Sequence, residues 1–199
     1  MVRIFISGPS GVGKSSIIKE ILKRKVGIVL SVSYTTRPPR PGEHDGIDYF
    51  FVSRNTFEEM IEKGSFLEWA NVHGHLYGTY LDWVESQERD GVHILFDIDV
   101  QGVIQAKAKG SQGCFIFIIP PDMEALSKRL GNRGTEDQQQ LALRLENAIH
   151  ELTYWNIYDY LVVNDSLEKT IEDISTIIEA YRFSKEEVVG KMPWLSTIA

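Results

Sequence analysis

The sequence predicts an α/β fold, a parallel sheet with helices on both faces, and two observations carry that expectation. Five apolar, largely β-branched runs at 2–7, 28–32, 92–97, 114–119 and 160–163 alternate with segments of helical periodicity, the pattern of buried parallel strands joined by crossover helices. The first run leads directly into Gly8-Pro9-Ser10-Gly11-Val12-Gly13-Lys14-Ser15, which meets the phosphate-loop pattern G-x-x-x-x-G-K-[ST] at every specified position. Strand, loop and helix follow in the order that motif requires, so the expected sheet is of the P-loop NTPase type.

The elements can be justified in turn. Val2-Arg3-Ile4-Phe5-Ile6 is a short buried strand, and after the loop Ile17, Ile18, Ile21 and Leu22 share one face of a helix over 14–24. Glycines let successive backbone N–H groups curl around phosphate oxygens, and a helix N-terminus adds a field favourable to negative charge. Lys14 is placed to reach β/γ-phosphates, and Ser15 offers a hydroxyl to Mg²⁺, which prefers hard oxygen ligands. Helices are expected at 101–109, 122–131, 136–157 and 166–186, the last with Ile171, Ile174, Ile178 and Tyr181 on one face. Right-handed crossovers put ligands at the carboxyl ends of the strands.

Residues 33–90 break the rhythm. A loop rich in Pro, Gly and Arg precedes short alternating runs around Tyr49-Phe50-Phe51-Val52, Phe66-Leu67-Glu68-Trp69 and Leu76-Tyr77-Gly78-Thr79-Tyr80, with a helical stretch near 55–63. This reads as a small mixed β insertion on a core formed by 1–32 and 91–199. Within it Arg37 and Arg40 bracket two prolines that hold the loop extended, and two planar guanidinium forks aimed at one point suit a phosphate.

Composition narrows the function. A chain of 199 residues, 43% hydrophobic and 25% charged, suits one domain with an insertion. No apolar run is long enough to span a bilayer, and the N-terminus enters a core strand with no room for a signal peptide. Cys114, the single cysteine, lies in an apolar strand and reads as a buried structural thiol, consistent with a reducing cytoplasm. A net charge of −7 argues against general affinity for nucleic acid, so an anionic ligand must be held by local clusters, Arg37/Arg40 and Arg129/Arg133/Arg144. His73 and His75 alone among the histidines share a ligand-like spacing, and two ligands make no closed metal site. The Trp and Tyr residues of 154–160 read as core, and the tail 188–199 has no assignable role.

The motifs together resemble the guanylate kinase family over nearly the whole chain. The resemblance rests on the phosphate loop, Ser33-Tyr34-Thr35-Thr36-Arg37-Pro38-Pro39-Arg40-Pro41-Gly42-Glu43, Gly46-Ile47-Asp48-Tyr49-Phe50-Phe51, Phe66-Leu67-Glu68-Trp69-Ala70, Tyr77-Gly78-Thr79, Asp97-Ile98-Asp99-Val100-Gln101-Gly102 and Arg129-Leu130-Gly131-Asn132-Arg133-Gly134-Thr135-Glu136. It implies transfer of the γ-phosphoryl of ATP to GMP with Mg²⁺. By similarity, Arg37, Arg40, Tyr49 and Tyr77 hold the GMP phosphate, while Ser33, Glu68 and Thr79, with Asp97 or Asp99 or both, read guanine. ATP falls to Gly8, Pro9, Ser10, Gly11, Val12, Gly13, Lys14, Ser15 and Ser16, with Asn164 near the adenine. Arg129, Arg133 and Arg144 belong to a helical lid at about 129–147 and, with Lys14 and Arg37, are the expected catalytic cations. Ser15 is the expected Mg²⁺ ligand, and Asp97 orients metal-bound water. Thr79 stands where Ser is frequent in the family and keeps the hydroxyl.

Two other readings compete. A scaffold-type interaction module on this fold degrades the phosphate loop, which here keeps Gly13, Lys14 and Ser15. A kinase of another nucleoside monophosphate is disfavoured by Glu68 and the β insertion.

Overall fold

The computed structural model describes residues 1–72, 74–131 and 138–198. Its elements run β1 (Arg3–Ser7), α1 (Lys14–Arg24), β2 (Ile28–Leu30), β3 (Tyr34–Thr35), β4 (Phe50–Phe51), α2 (Arg54–Glu62), β5 (Phe66–Val72), β6 (His75–Tyr80), α3 (Leu81–Arg89), β7 (His93–Asp97), α4 (Val100–Ala108), β8 (Cys114–Ile119), α5 (Met123–Gly131), α6 (Gln138–Leu152), β9 (Tyr160–Val163), α7 (Leu167–Tyr181) and α8 (Lys185–Lys191), with 3₁₀ turns at Trp155–Ile157 and Pro193–Thr197. Five strands form one parallel sheet in the order β2-β7-β1-β8-β9.

Side-chain alternation along those strands divides the core by residue type. Ile4, Ile6, Leu95, Ile116 and Ile118 face Ile17 and Ile21 of α1 and Ile171, Ile174 and Ile178 of α7. On the opposite face Phe5, Phe96, Phe115 and Phe117 meet Val84 of α3 and Val103 and Ala106 of α4. Phe5 stacks on Phe96 and Phe115 with centroids 4.5 and 4.4 Å away. It is fully buried, so truncation to Ala would cost about 3–5 kcal/mol. Cys114 is also fully buried, and burial pushes its thiol up to about 12, so it is an inert core residue.

A second, mixed sheet has the order β4-β3-β6-β5 and its own core of Phe57, Phe66 and Leu76. Its strand β5 also reaches the main domain, because Leu67 packs into the aromatic side of the larger sheet.

Several boundaries differ from the sequence reading. The expected helix over 136–157 is described from Gln138 and ends at Leu152, where Thr153 Oγ1 donates to the His150 carbonyl. The helix expected over 166–186 stops at Tyr181, and Ser184 caps a separate α8 by accepting from the Glu187 N–H. Helix α3 was unforeseen, since its buried stripe reduces to Val84. Trp155 is exposed rather than core, while Tyr158 is buried. His73 lies outside the described residues. No helix among the described residues is long and apolar enough to cross a membrane.

Candidate active site

β1 lies between β7 and β8, where the strand order changes direction, and its carboxyl end opens into the phosphate loop. A crevice at this switch point is where open α/β sheets bind ligands. Gly13 has φ of 102°, and a Cβ there would lie 2.7 Å from Asn164 Nδ2, so the position requires glycine on both counts. The first helical hydrogen bond of α1 runs from the Ile17 N–H to the Gly13 carbonyl at 3.2 Å. The amides of Lys14, Ser15 and Ser16 therefore precede the ladder and point at the loop's mouth. Lys14 Nζ donates to the Gly8 carbonyl at 2.7 Å, folded across the loop it is expected to serve.

Beneath the loop, Asn164 Nδ2 donates to the Val12 carbonyl at 2.7 Å, while its Oδ1 accepts from Thr170 Oγ1 at 3.0 Å. Arg129 joins them, donating from Nη2 to the Asn164 carbonyl at 2.9 Å and from Nη1 to the Val12 carbonyl at 3.4 Å. Asn164 and Arg129 thus underpin the phosphate loop in this structure. Arg144 lies half-buried on α6, and Arg133 lies outside the described residues. From the end of the same α6, Glu151 Oε2 accepts from the Ser10 N–H at 3.0 Å, a contact with no signal in the sequence.

A cavity of about 310 Å³ opens between the two sheets and is lined by Ser33, Arg37, Arg40, Tyr49, Glu68, Ala70, Val72, Tyr77, Gly78, Asp97, Ile98 and Asp99. Residues far apart in sequence meet here, placed by strands β5 and β6, by the end of β7 and the cap of α4, and by the segments flanking β3. One corner is cationic and hydroxylic. The Arg37 guanidinium lies 5.3 Å from the centroid of Tyr49, whose ring meets Tyr77 edge-on at 5.8 Å. Glu43, which closes the quoted motif without a role of its own there, organises this corner. It accepts from Arg37 Nη2 at 2.8 Å through one oxygen and from the Arg40 N–H at 2.7 Å through the other. The carboxylate holds the guanidinium's pKa well above its usual value.

The other end is acidic. Glu68 is only 4% exposed, and Thr79 Oγ1 donates to its Oε1 at 2.6 Å. A register shift in β5 creates this contact: Phe66 pairs with Tyr80, yet Glu68, two residues on, pairs with Thr79. Such a bulge re-aims a side chain, and here the carboxylate turns into the cavity. Burial raises the Glu68 carboxyl to about 7, with the Thr79 hydrogen bond opposing and Asp99 adding to the rise.

Asp97 ends β7 beside β1, in register with Ile6. Its side chain is solvent-exposed but stands in a concave wall, which raises its pKa, and the Lys14 charge opposes that rise. Asp99 caps α4, accepting from the Gly102 N–H at 2.8 Å.

A phosphate loop at the switch point, facing a cavity with a cationic corner and a buried acidic one, belongs to the α/β nucleotide kinases. Within that class the chain belongs to the guanylate kinase family, whose model matches residues 1–181; these are enzymes. It is 50% identical over 177 residues to the guanylate kinase of Thermotoga maritima, spanning 89% of this chain and 86% of that protein. It is 44% identical over 189 residues to that of Streptococcus pyogenes serotype M3, spanning 94% and 90%. Among solved structures, the guanylate kinase of Anaplasma phagocytophilum superposes with a TM-score of 0.73 at 32% identity, covering 93% of this chain and 87% of that one.

Proposed function

We propose that this protein transfers the γ-phosphoryl group of ATP to GMP, giving ADP and GDP, in purine nucleotide metabolism in the cytoplasm. The observation that carries the reading is Glu68, a buried carboxylate aimed into a cavity whose far corner holds Arg37, Arg40, Tyr49 and Tyr77. Guanine offers N1–H and a 2-amino group side by side, two donors matching one carboxylate; a 5′-phosphate at the other end meets two guanidiniums and two phenols. Ser33, Thr79, Asp97 and Asp99 complete the base side.

The resulting mechanism is mostly positioning and charge neutralisation, since an acceptor that is already a phosphate oxygen needs no general base. Backbone amides at the mouth of the loop, those of Lys14, Ser15 and Ser16 among them, cradle the ATP phosphates, and Lys14 leaves the Gly8 carbonyl to meet them. Asn164 and Arg129 keep that loop in shape, while Arg133 and Arg144 supply charge from the lid. Arg37 holds the acceptor phosphate in line. Ser15 and Asp97 would hold Mg²⁺, with Asp97 acting through water. No group of three or more His, Cys, Asp or Glu side chains suited to a metal occurs among the described residues; a hydroxyl and one carboxylate suit an ion that takes its other ligands from phosphate and water. When bound, it would neutralise charge on the transferring group.

The test is ADP formation in a coupled assay with each nucleoside monophosphate in turn. GMP should lead. IMP keeps N1–H but loses one charge-assisted hydrogen bond of about 1.5–3 kcal/mol, roughly ten- to hundredfold in efficiency. AMP, which presents a bare acceptor to Glu68, should be rejected by roughly 10⁴–10⁵. Phosphorylation of AMP as efficient as that of IMP would overturn the reading.

A further inference from the structure

Glu68 lies on β5, the outermost strand of the smaller sheet, whose free edge has no strand beside it among the described residues. Helix α4 covers that edge with side chains that imitate a strand. Gln105 Oε1 accepts from the Trp69 N–H at 3.1 Å, and Gln105 Nε2 donates to the Trp69 carbonyl at 2.5 Å. A primary carboxamide offers the same donor and acceptor as a peptide group, so both outward-facing backbone groups of Trp69 are satisfied by one residue. Lys109 Nζ donates to the Phe66 carbonyl at 2.7 Å, on the other side of Glu68.

The bulge that aims Glu68 is therefore pinned at both ends. Gly102 completes the arrangement. Positions 102 and 105 share one face of α4, Lys109 is its C-cap, and a Cβ on Gly102 would lie 2.7 Å from Glu68 Oε2 and 3.2 Å from its Cδ. The carboxylate thus fills the space of the missing side chain, while its other oxygen is held by Thr79. The free backbone edge and the carboxylate both take their position from α4, a helix rooted in the main core through Val103 and Ala106.

We propose that Gln105 and Gly102 are specificity-determining positioning residues: Gln105 clamps β5 and Gly102 admits the Glu68 carboxylate, and together they set the distance from which guanine is read. Neither touches the substrate. The proposal rests on the reading of Glu68 as the guanine contact, and it predicts a selectivity defect rather than a general one. A clamp that only stabilised the fold would shift the melting temperature and leave the ratio of kcat/KM for GMP to that for IMP unchanged.

The experiment measures that ratio, KM for ATP and thermal stability for Gln105→Met, Gly102→Ala, Glu68→Gln and the double variant Gln105→Met/Glu68→Gln. Gln105→Met keeps length and loses both hydrogen bonds. Gly102→Ala displaces the Glu68 carboxylate, crowds the Ile98 Cβ at 3.2 Å by a few tenths of an ångström at most, and gains helix propensity, so it should fold even where Gln105→Met does not. Both single variants should lower the GMP-to-IMP ratio about tenfold, the size of one weakened hydrogen bond, mainly through KM for GMP with KM for ATP unchanged. Adding Gln105→Met to Glu68→Gln should lower the ratio no further, since the two act on one contact. The proposal is overturned if Glu68→Gln collapses the ratio while Gly102→Ala and Gln105→Met leave it within about twofold, or if the double variant shows additive losses. A ratio unmoved by Glu68→Gln removes the reading of Glu68 itself, and the positioning role falls with it.

Discussion

Thr79 Oγ1 lies 2.6 Å from Glu68 Oε1, and this hydroxyl is the direct side-chain donor to a carboxylate otherwise walled in by protein. Burial has lifted that carboxyl to about 7, so on the proposed reading of Glu68 as the guanine contact protonation competes with substrate near neutral pH. Guanine's two donors need the ionised form. The efficiency kcat/KM for GMP should therefore fall as pH drops through about 7, and Thr79→Val, which removes the opposing hydrogen bond, should move that fall to higher pH. A profile from pH 5.5 to 9, values chosen to span about one and a half units or more on either side of the transition, checks both. A flat profile, or an unchanged one in Thr79→Val, would mean the carboxylate does not read the base.

The same shift has a consequence for stability. The native carboxyl titrates above its unfolded value of 4.5, so the folded state binds more protons between that value and about 7. Stability contributed by this site thus declines as pH rises through that window and is lowest above it. Glu68→Gln removes the buried charge, and its melting temperature should exceed that of the parent at pH 8 but not at pH 5. Calorimetric scans at those two pH values, one on each side of the window, decide it.

Lys14 contributes little to packing. It is half-buried at the start of α1, and its ammonium bonds to the Gly8 carbonyl of its own loop. Lys14→Ala should abolish phosphoryl transfer while changing stability by no more than about 1 kcal/mol, the worth of one such hydrogen bond. Retention of activity within about tenfold of the parent would sink the role assigned to it.

The main sheet and the phosphate loop were legible because they depend on local pattern. Buried parallel strands read as apolar runs, and the loop's glycines are dictated by backbone conformation, as the positive φ of Gly13 shows. What escaped notice depends on side chains meeting across long stretches of chain. Gln105 and Trp69 are 36 residues apart, and Glu151 and Ser10 are 141 apart. Neither pair carries a motif, because a carboxamide or carboxylate bonding to backbone places no demand on its partner's residue type. Arg129 carries both kinds of information: resemblance places it in a lid, and its guanidinium in addition grips the Val12 and Asn164 carbonyls, contacts that no motif announces. Helix α3 was missed because a nine-residue helix with one buried position offers almost no periodicity.

Asn164 is 8% exposed and ties α7, through Thr170, to the underside of the phosphate loop. Asn164→Ala would leave the Thr170 hydroxyl without one partner and the Val12 carbonyl with the longer Arg129 contact. A cost of about 1–3 kcal/mol in stability follows, together with a raised KM for ATP and an unchanged KM for GMP. Steady-state kinetics with each substrate varied in turn would expose an error, since a rise confined to GMP contradicts this assignment.

Arg37 offers the sharpest separation between the two substrates. Its guanidinium already has a planar environment: Glu43 Oε1 lies 2.8 Å from Nη2, the Pro38 carbonyl 2.8 Å from Nη1, and the rings of Tyr49 and Phe51 lie alongside at 5.3 and 5.9 Å. Lysine would keep the charge but lose the fork, so it could serve Glu43 or an incoming phosphate but not both with good geometry. Arg37→Lys should weaken GMP binding by roughly ten- to hundredfold, corresponding to about 1.5–3 kcal/mol for a charge-assisted hydrogen bond, and leave ATP binding within about twofold. Glu43→Gln separates orientation from charge. It keeps one acceptor oxygen, enough for Arg37 or the Arg40 N–H but not both, and removes the carboxylate that competes with phosphate, so its effect on GMP should be smaller than that of Arg37→Lys. Titration calorimetry with each nucleotide measures both variants. Equal weakening of GMP and ATP by Arg37→Lys would show that this corner is not reserved for the acceptor phosphate, because a guanidinium that touches only GMP leaves ATP binding unchanged when its fork is lost.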